Sequence, residues 1–135
     1  YDLVLFGQLG NQPIDVDAVQ ARLSDPANAR VAQSLRDVGI YTAVDLFGTY
    51  AGRRDDMKGW LRDAVINTDR NLKLQYLAGL GLNLYQSDLI YREMIREVAY
   101  PEGLFTGSPE TLAALRARID GSINSRRPGR PAAQP

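Results

Sequence analysis

The chain has 135 residues, 44% hydrophobic and 24% charged, which suits one modest globular domain able to bury a useful core. Sixteen basic residues balance sixteen acidic ones, so the charge does not point to a general nucleic-acid or acidic-membrane binder. Cysteine and histidine are both absent. That excludes disulfide and thiolate chemistry, removes the commonest general base and zinc ligand, and leaves carboxylates, lysines or tyrosines for any catalysis.

Leu3-Val4-Leu5-Phe6, closed by Gly7 and Gly10, has the length and flanks of a buried strand. The opening at Tyr1, straight into this apolar run, reads as a chain cut from something longer. Asp15 can cap a short helix with Val16, Val19 and Leu23 on one face. Asp25-Pro26 reads as a cap followed by proline at the first helical position, opening a helix that buries Val31, Leu35 and Val38 and stops at Gly39. Thr42 caps a further short helix, with Leu46, Phe47 and Tyr50 inward and a stop near Gly52. Residues 54–62 form another helical candidate, with Met57, Trp60 and Leu61 on one face.

The stretch Val65 to Leu77, VINTDRNLKLQYL, admits two readings. Leu72, Leu74 and Tyr76 alternate with Lys73 and Gln75, which is strand periodicity. Leu72, Tyr76 and Leu80 also fit helical spacing with Asp69 as a cap, against which Gly79 and Gly81 each weigh about 1 kcal/mol. The glycines favour the strand. Beyond them, Ser87 caps a helix with Tyr91, Met94 or Ile95, and Val98 on one face, and Asp88 with Arg92 as an i,i+4 pair. Tyr100-Pro101-Glu102-Gly103 breaks it. Ser108-Pro109-Glu110-Thr111 opens a last helix with Leu112, Leu115 and Ile119 inward, ending at Gly121. Residues 121–135 carry Arg126, Arg127 and Arg130 with no acid, and read as a disordered Pro/Arg-rich tail.

Few residues invite chemistry. The Gly7-Gln8-Leu9-Gly10 turn lacks the third glycine of a dinucleotide fingerprint and the lysine of a phosphate loop. Asp15 and Asp17 sit where acids complement a helix dipole, and Asp55-Asp56 reads as a solvated face. Asn67, Thr68 and Asp69 are the sharpest polar cluster: three short side chains that can hydrogen-bond a ligand, or hold a turn by bonding their own backbone. Trp60, Tyr76, Tyr85 and Tyr91 are scattered among aliphatics and read as core. No metal site is expected. The most apolar segment, Tyr76 to Tyr85, falls well short of the roughly 20 residues that span a bilayer.

The segments YDLVLFGQ (Tyr1–Gln8), PIDVDAVQARL (Pro13–Leu23), VAQSLRDVGI (Val31–Ile40), VINTDRNLKLQYLAG (Val65–Gly79) and YPEGLFTGS (Tyr100–Ser108) follow one another in an order that resembles the C-terminal part of bacterial spermidine synthase-like proteins, especially forms fused to a multi-pass membrane region. The resemblance covers residues 1–120. It implies an α/β (or α+β) fold: Asp2–Phe6 and Leu72–Leu77 as two antiparallel edge strands of a Rossmann-like, methyltransferase-type sheet, with several short helices and a C-terminal helical pair. In that family, decarboxylated S-adenosylmethionine and the catalytic aspartate are held upstream of this part, and no position of this chain matches them. The family often has an acid where this chain has Arg70.

Two readings of function follow. In the first, the chain is the non-catalytic C-terminal portion of a spermidine synthase-like protein; it needs no cofactor itself, and Asn67, Thr68 and Asp69 lie at the rim of a substrate pocket. Its partner is then the missing upstream half, and the resemblance implies a cytoplasmic place tethered to the inner membrane through the parent. In the second, it is an interaction or assembly subunit that pairs with another protein or a second copy.

Overall fold

The computed structural model describes residues 4–7, 10, 12–84 and 87–126, the side chains of 79–87 and 126 excepted. Among these residues the chain is mostly helical, in the order β1 (Ile14–Asp15), α1 (Val16–Ser24), a 3₁₀ turn (Pro26–Asn28), α2 (Ala29–Asp37), α3 (Ala43–Phe47), α4 (Lys73–Leu84), α5 (Ser87–Arg96), β2 (Phe105–Thr106) and α6 (Pro109–Arg126). Two compact units hold them, one within Tyr1–Ala51 and Ala99–Ser125, the other within Gly52–Val98.

The expected edge pair of a Rossmann-like sheet is not formed. The only strands among the described residues are β1 and β2, which pair in parallel with Ile14 opposite Phe105 and Asp15 opposite Thr106. Val4, Leu5 and Phe6 have no strand assignment and are 74%, 94% and 94% exposed, while Asp2 and Leu3 lie outside the described residues. Residues 73–77 belong to helix α4. Leu, Lys, Gln and Ala are good helix formers, and a helix satisfies its backbone internally, whereas a strand without a partner leaves its amides unpaired. That gain outweighs two glycines.

In the first unit, local sequence rules hold at the caps. Asp15 accepts from the Ala18 amide at 2.9 Å and starts α1. Asp25 accepts from Ala27 N ahead of Pro26, but what it opens is the 3₁₀ turn that leads into α2. Gly39, at φ +81°, closes α2: its amide reaches the Arg36 carbonyl, and Ile40 N reaches the Leu35 carbonyl, the paired bonds of a left-handed helix stop. Thr42 and Asp45 cap α3 reciprocally. This helix ends at Phe47, before Gly48, one turn sooner than the glycine at 52 suggested.

The core of this unit is built from Val16, Ala32, Ala43, Phe105, Leu115, Ile119 and Ile123, all buried. α1 lies against α2, α3 and β2. Val31 and Val38, expected inward, are 57% and 72% exposed; the residue that α2 buries is Ala32. Phe105 gathers the aromatics Phe47, Tyr50 and Tyr100 at centroid distances of 5.2, 6.4 and 6.5 Å. The Arg116 guanidinium sits 4.0 Å above the Tyr100 ring while ion-paired to Glu102. The desolvated setting of Tyr100 raises its phenol above the ordinary value, and Glu102 raises the pKa of Arg116.

α6 does not stop at Gly121 but continues to Arg126, since Ile123 extends the buried stripe of Leu115 and Ile119 by one more i,i+4 step. Burying an isoleucine outweighs the helix penalty of one glycine. A methyl group at Gly121 would meet nothing within 4 Å. Gly121→Ala should therefore stabilise the chain by about 0.5–1 kcal/mol, measurable by chemical denaturation. Residues 127–135 lie outside the described residues.

The second unit holds α4, α5 and a run of turns over residues 54–63 in place of the expected helix. Gly59 sits in the middle of that run, and its hydrogen bonds mix three- and four-residue spans. Asp55 pairs with Lys58 at 2.7 Å in solvent, which lowers its pKa, whereas Asp56 turns inward to the Arg53 amide and is 12% exposed. Met94, Ile95 and Val98 are buried on one face of α5 and its C-terminal end, as the spacing predicts. The Asp88–Arg92 pair is not among the ion pairs of the described residues, and the Ser87 side chain lies outside the description.

Candidate functional site

The polar turn before α4 is built to start that helix. Asn67 Oδ1 accepts from Leu74 N at 2.8 Å, and Asn71 Oδ1 accepts from Lys73 N at 3.2 Å. Thr68 and Asn71 bond each other reciprocally, Thr68 N to Asn71 Oδ1 and Asn71 N to Thr68 Oγ1, while Asn71 Nδ2 donates to the Ile66 carbonyl. Two of the four orphan amides of α4 are thereby satisfied by side chains. Asp69, the cap in the helical reading of this stretch, is exposed and takes no such place. Leu72, at φ +43°, joins turn to helix in a conformation that leucine adopts only at a cost. Asn67→Ala and Asn71→Ala should each destabilise α4 by about 1 kcal/mol, read as loss of helical signal on gentle heating.

A second polar cluster escaped sequence reasoning. Asp17, in the first turn of α1, is half-buried and clasps the start of α6: Oδ2 accepts from Ser108 N at 2.5 Å, and Oδ1 accepts from Thr111 Oγ1 at 2.6 Å. Ser108 Oγ donates to Thr111 Oγ1 and accepts from Thr111 N, so the network is closed. The Thr111 hydroxyl and the Ser108 amide hold the Asp17 carboxyl below its ordinary value. A group so engaged and so acidic is a poor general base at neutral pH. Gly107 makes room for the clasp, because a Cβ there would lie 3.2 Å from Asp17 Oδ2. Nothing in the sequence joins positions 91 residues apart, and only the Ser-Pro cap gave a hint of one half.

Asp45 is likewise committed, to the Thr42 hydroxyl and amide and, at 3.6 Å, to Arg118; the Thr42 hydroxyl leads in lowering its pKa. Between α1 and α2 an open cleft of about 270 Å³ is lined by Leu23, Pro26, Ala32, Leu35, Ile40 and Tyr41, among others. The one side-chain amide that lines it, Gln20, is already used by Ala43 N and the Ser24 hydroxyl. Among the described residues no three acidic side chains come together as a metal site.

What remains uncovered is apolar surface. Val65, Ile66, Leu72, Leu74, Tyr76 and Leu77 are 58%, 81%, 42%, 68%, 71% and 51% exposed, all within thirteen residues of the second unit. Trp60 and Tyr76, read as core, are among the exposed residues; Tyr91 is half-buried, and Tyr85 lies outside the described residues. The capped turn presents α4 without a cover over these positions. No helix among the described residues is long and apolar enough to cross a membrane. Compared with protein-family models, curated proteins and solved structures, the chain matches none.

Proposed function

We propose that this chain is a non-catalytic interaction module that docks onto another polypeptide through the apolar surface at the start of α4. The observation that carries this reading is the run of six large apolar side chains exposed between Val65 and Leu77. Large apolar side chains left in water in such number mark interaction surface in folded proteins. The carboxylates Asp15, Asp17, Asp25 and Asp45 support it from the other side, since each is engaged in a cap or clasp.

The order of the motifs from Tyr1 to Ser108 supports a parent of the spermidine synthase-like kind, whose upstream part would bind decarboxylated S-adenosylmethionine. In that setting the turn Asn67-Thr68-Asp69 would lie near an amine pocket, with Asp69 as the side chain left for a ligand.

The test pairs a dye-binding measurement with an assay. The folded chain should enhance the fluorescence of anilinonaphthalene sulfonate, and Leu74→Lys with Leu77→Lys should remove more than half of that signal with helical content unchanged. Incubated with decarboxylated S-adenosylmethionine and a diamine, the chain should release no aminopropylated product. Turnover that disappears in Asp69→Ala would overturn the proposal and make the turn a catalytic site.

A further inference from the structure

We infer that α4 is a groove-inserted helix: its partner is a folded protein with an apolar groove that covers it from more than one side and carries carboxylates at the end that receives Arg70 and Lys73. This deepens the docking role proposed above and rests on it.

The first observation is angular. At 3.6 residues per turn, Leu74 and Tyr76 stand about 160° apart around the helix axis. Both are about two-thirds exposed or more, Leu74 at 68% and Tyr76 at 71%. Leu77, at 51%, falls on the side between them that Lys73 shares. A helix with apolar groups open on opposite sides is not completed by a flat contact. A two-fold pairing of copies uses one patch against itself and would leave the other side in water.

Nor does α4 suit a lipid surface. A helix lying in the interface needs a polar face, and between Lys73 and Leu84 the polar residues are only Lys73, Gln75 and Asn83. Its 12 residues reach about 18 Å, short of the roughly 30 Å hydrocarbon core. Helix-in-groove recognition is the mode that buries such an element.

The second observation is extent. Six large apolar residues between Val65 and Leu77 are 42–81% exposed, more than the single apolar residues scattered over an ordinary surface. The third is charge. The start of α4 has no acid in its first turn, so the positive end of the helix dipole is joined by Lys73 and Arg70. Neither takes part in an ion pair among the described residues. The exposed Asp69 beside Arg70 offsets part of this charge, and carboxylates on the partner would complement the positive remainder.

Photo-crosslinking tests the inference in the cells that make the protein. Benzoylphenylalanine is introduced at Leu74 or at Tyr76, one position at a time, in the full chain, and the adducts are sequenced by mass spectrometry. Both positions should capture the same partner polypeptide. Arg70→Glu with Lys73→Glu should cut the yield at least fivefold, whereas Arg54→Glu with Lys58→Glu should leave it unchanged, each variant keeping the helical signal of the parent. Capture from one position alone would overturn the groove while leaving a one-sided docking surface. Adducts only with lipid, only with a second copy, or with nothing would overturn it as well. The dye-binding result stands apart from all of these, so loss of the docking role itself would be recognised separately.

Discussion

Ile119→Ala should lower the stability of the chain by about 2–5 kcal/mol, the largest loss expected of any single side-chain truncation here. Ile119 is fully buried, one turn on from Leu115 and one before Ile123, in the middle of the stripe that α6 buries. Alanine would remove apolar area and leave a void that the rigid neighbours fill only in part. Thermal denaturation should show a fall in Tm on the order of 10 °C. Ile119→Val, which removes a single methylene, should cost about 0.5–1.5 kcal/mol. Equal losses from the two would mean that α6 is not packed as described.

Asp17→Ala should be the most damaging replacement of a carboxylate, and its effect should depend on pH. The clasp ties α1 to α6 through the Ser108 amide and the Thr111 hydroxyl, so alanine leaves two half-buried donors without their acceptor. The sign follows from linkage. The folded pKa of Asp17 lies below its ordinary value of 3.8, so its contribution is present above that value and disappears as pH falls through the lower, folded one. Parent and variant should therefore differ most at neutral pH and converge in acid below about pH 4. Asp45, also lowered, gives the parent a residual acid limb that Asp17→Ala retains. Urea midpoints measured from about pH 7 down to about pH 3 would show this. A constant offset across that range would mean that the carboxylate is not held in its charged form.

Much of the local architecture was legible. Asp15, Thr42 and Ser108 stand at helix starts, and Gly39 closes a helix in the left-handed conformation, because these features depend only on residues within one turn. The fold class was not legible, and residues 72–77 show why. Their apolar positions satisfy period two and the i,i+4 spacing together, so the pattern could not choose. What decides is the pair Asn67 and Asn71, whose side chains reach the first amides of α4. In the sequence, Asn67-Thr68-Asp69 reads as a ligand site or a turn, with Asp69 as the possible cap. The clasp of Asp17 was out of reach for a different reason, since it joins residues brought together only by tertiary packing. Val31 and Val38 failed as core residues because burial depends on where α1 lies, which spacing along α2 does not state.

The docking role depends on residues 73–84 being a helix that leaves Leu74 and Tyr76 open. The most direct measurement is the set of ¹³Cα chemical shifts of those residues in the isolated chain, by NMR. A continuous run of positive deviations from random-coil values, beginning at Lys73, is the result expected of a helix capped by Asn67 and Asn71. Negative deviations from Leu72 to Leu77 would make this segment a strand, and would contradict both the fold described and the groove it is inferred to enter.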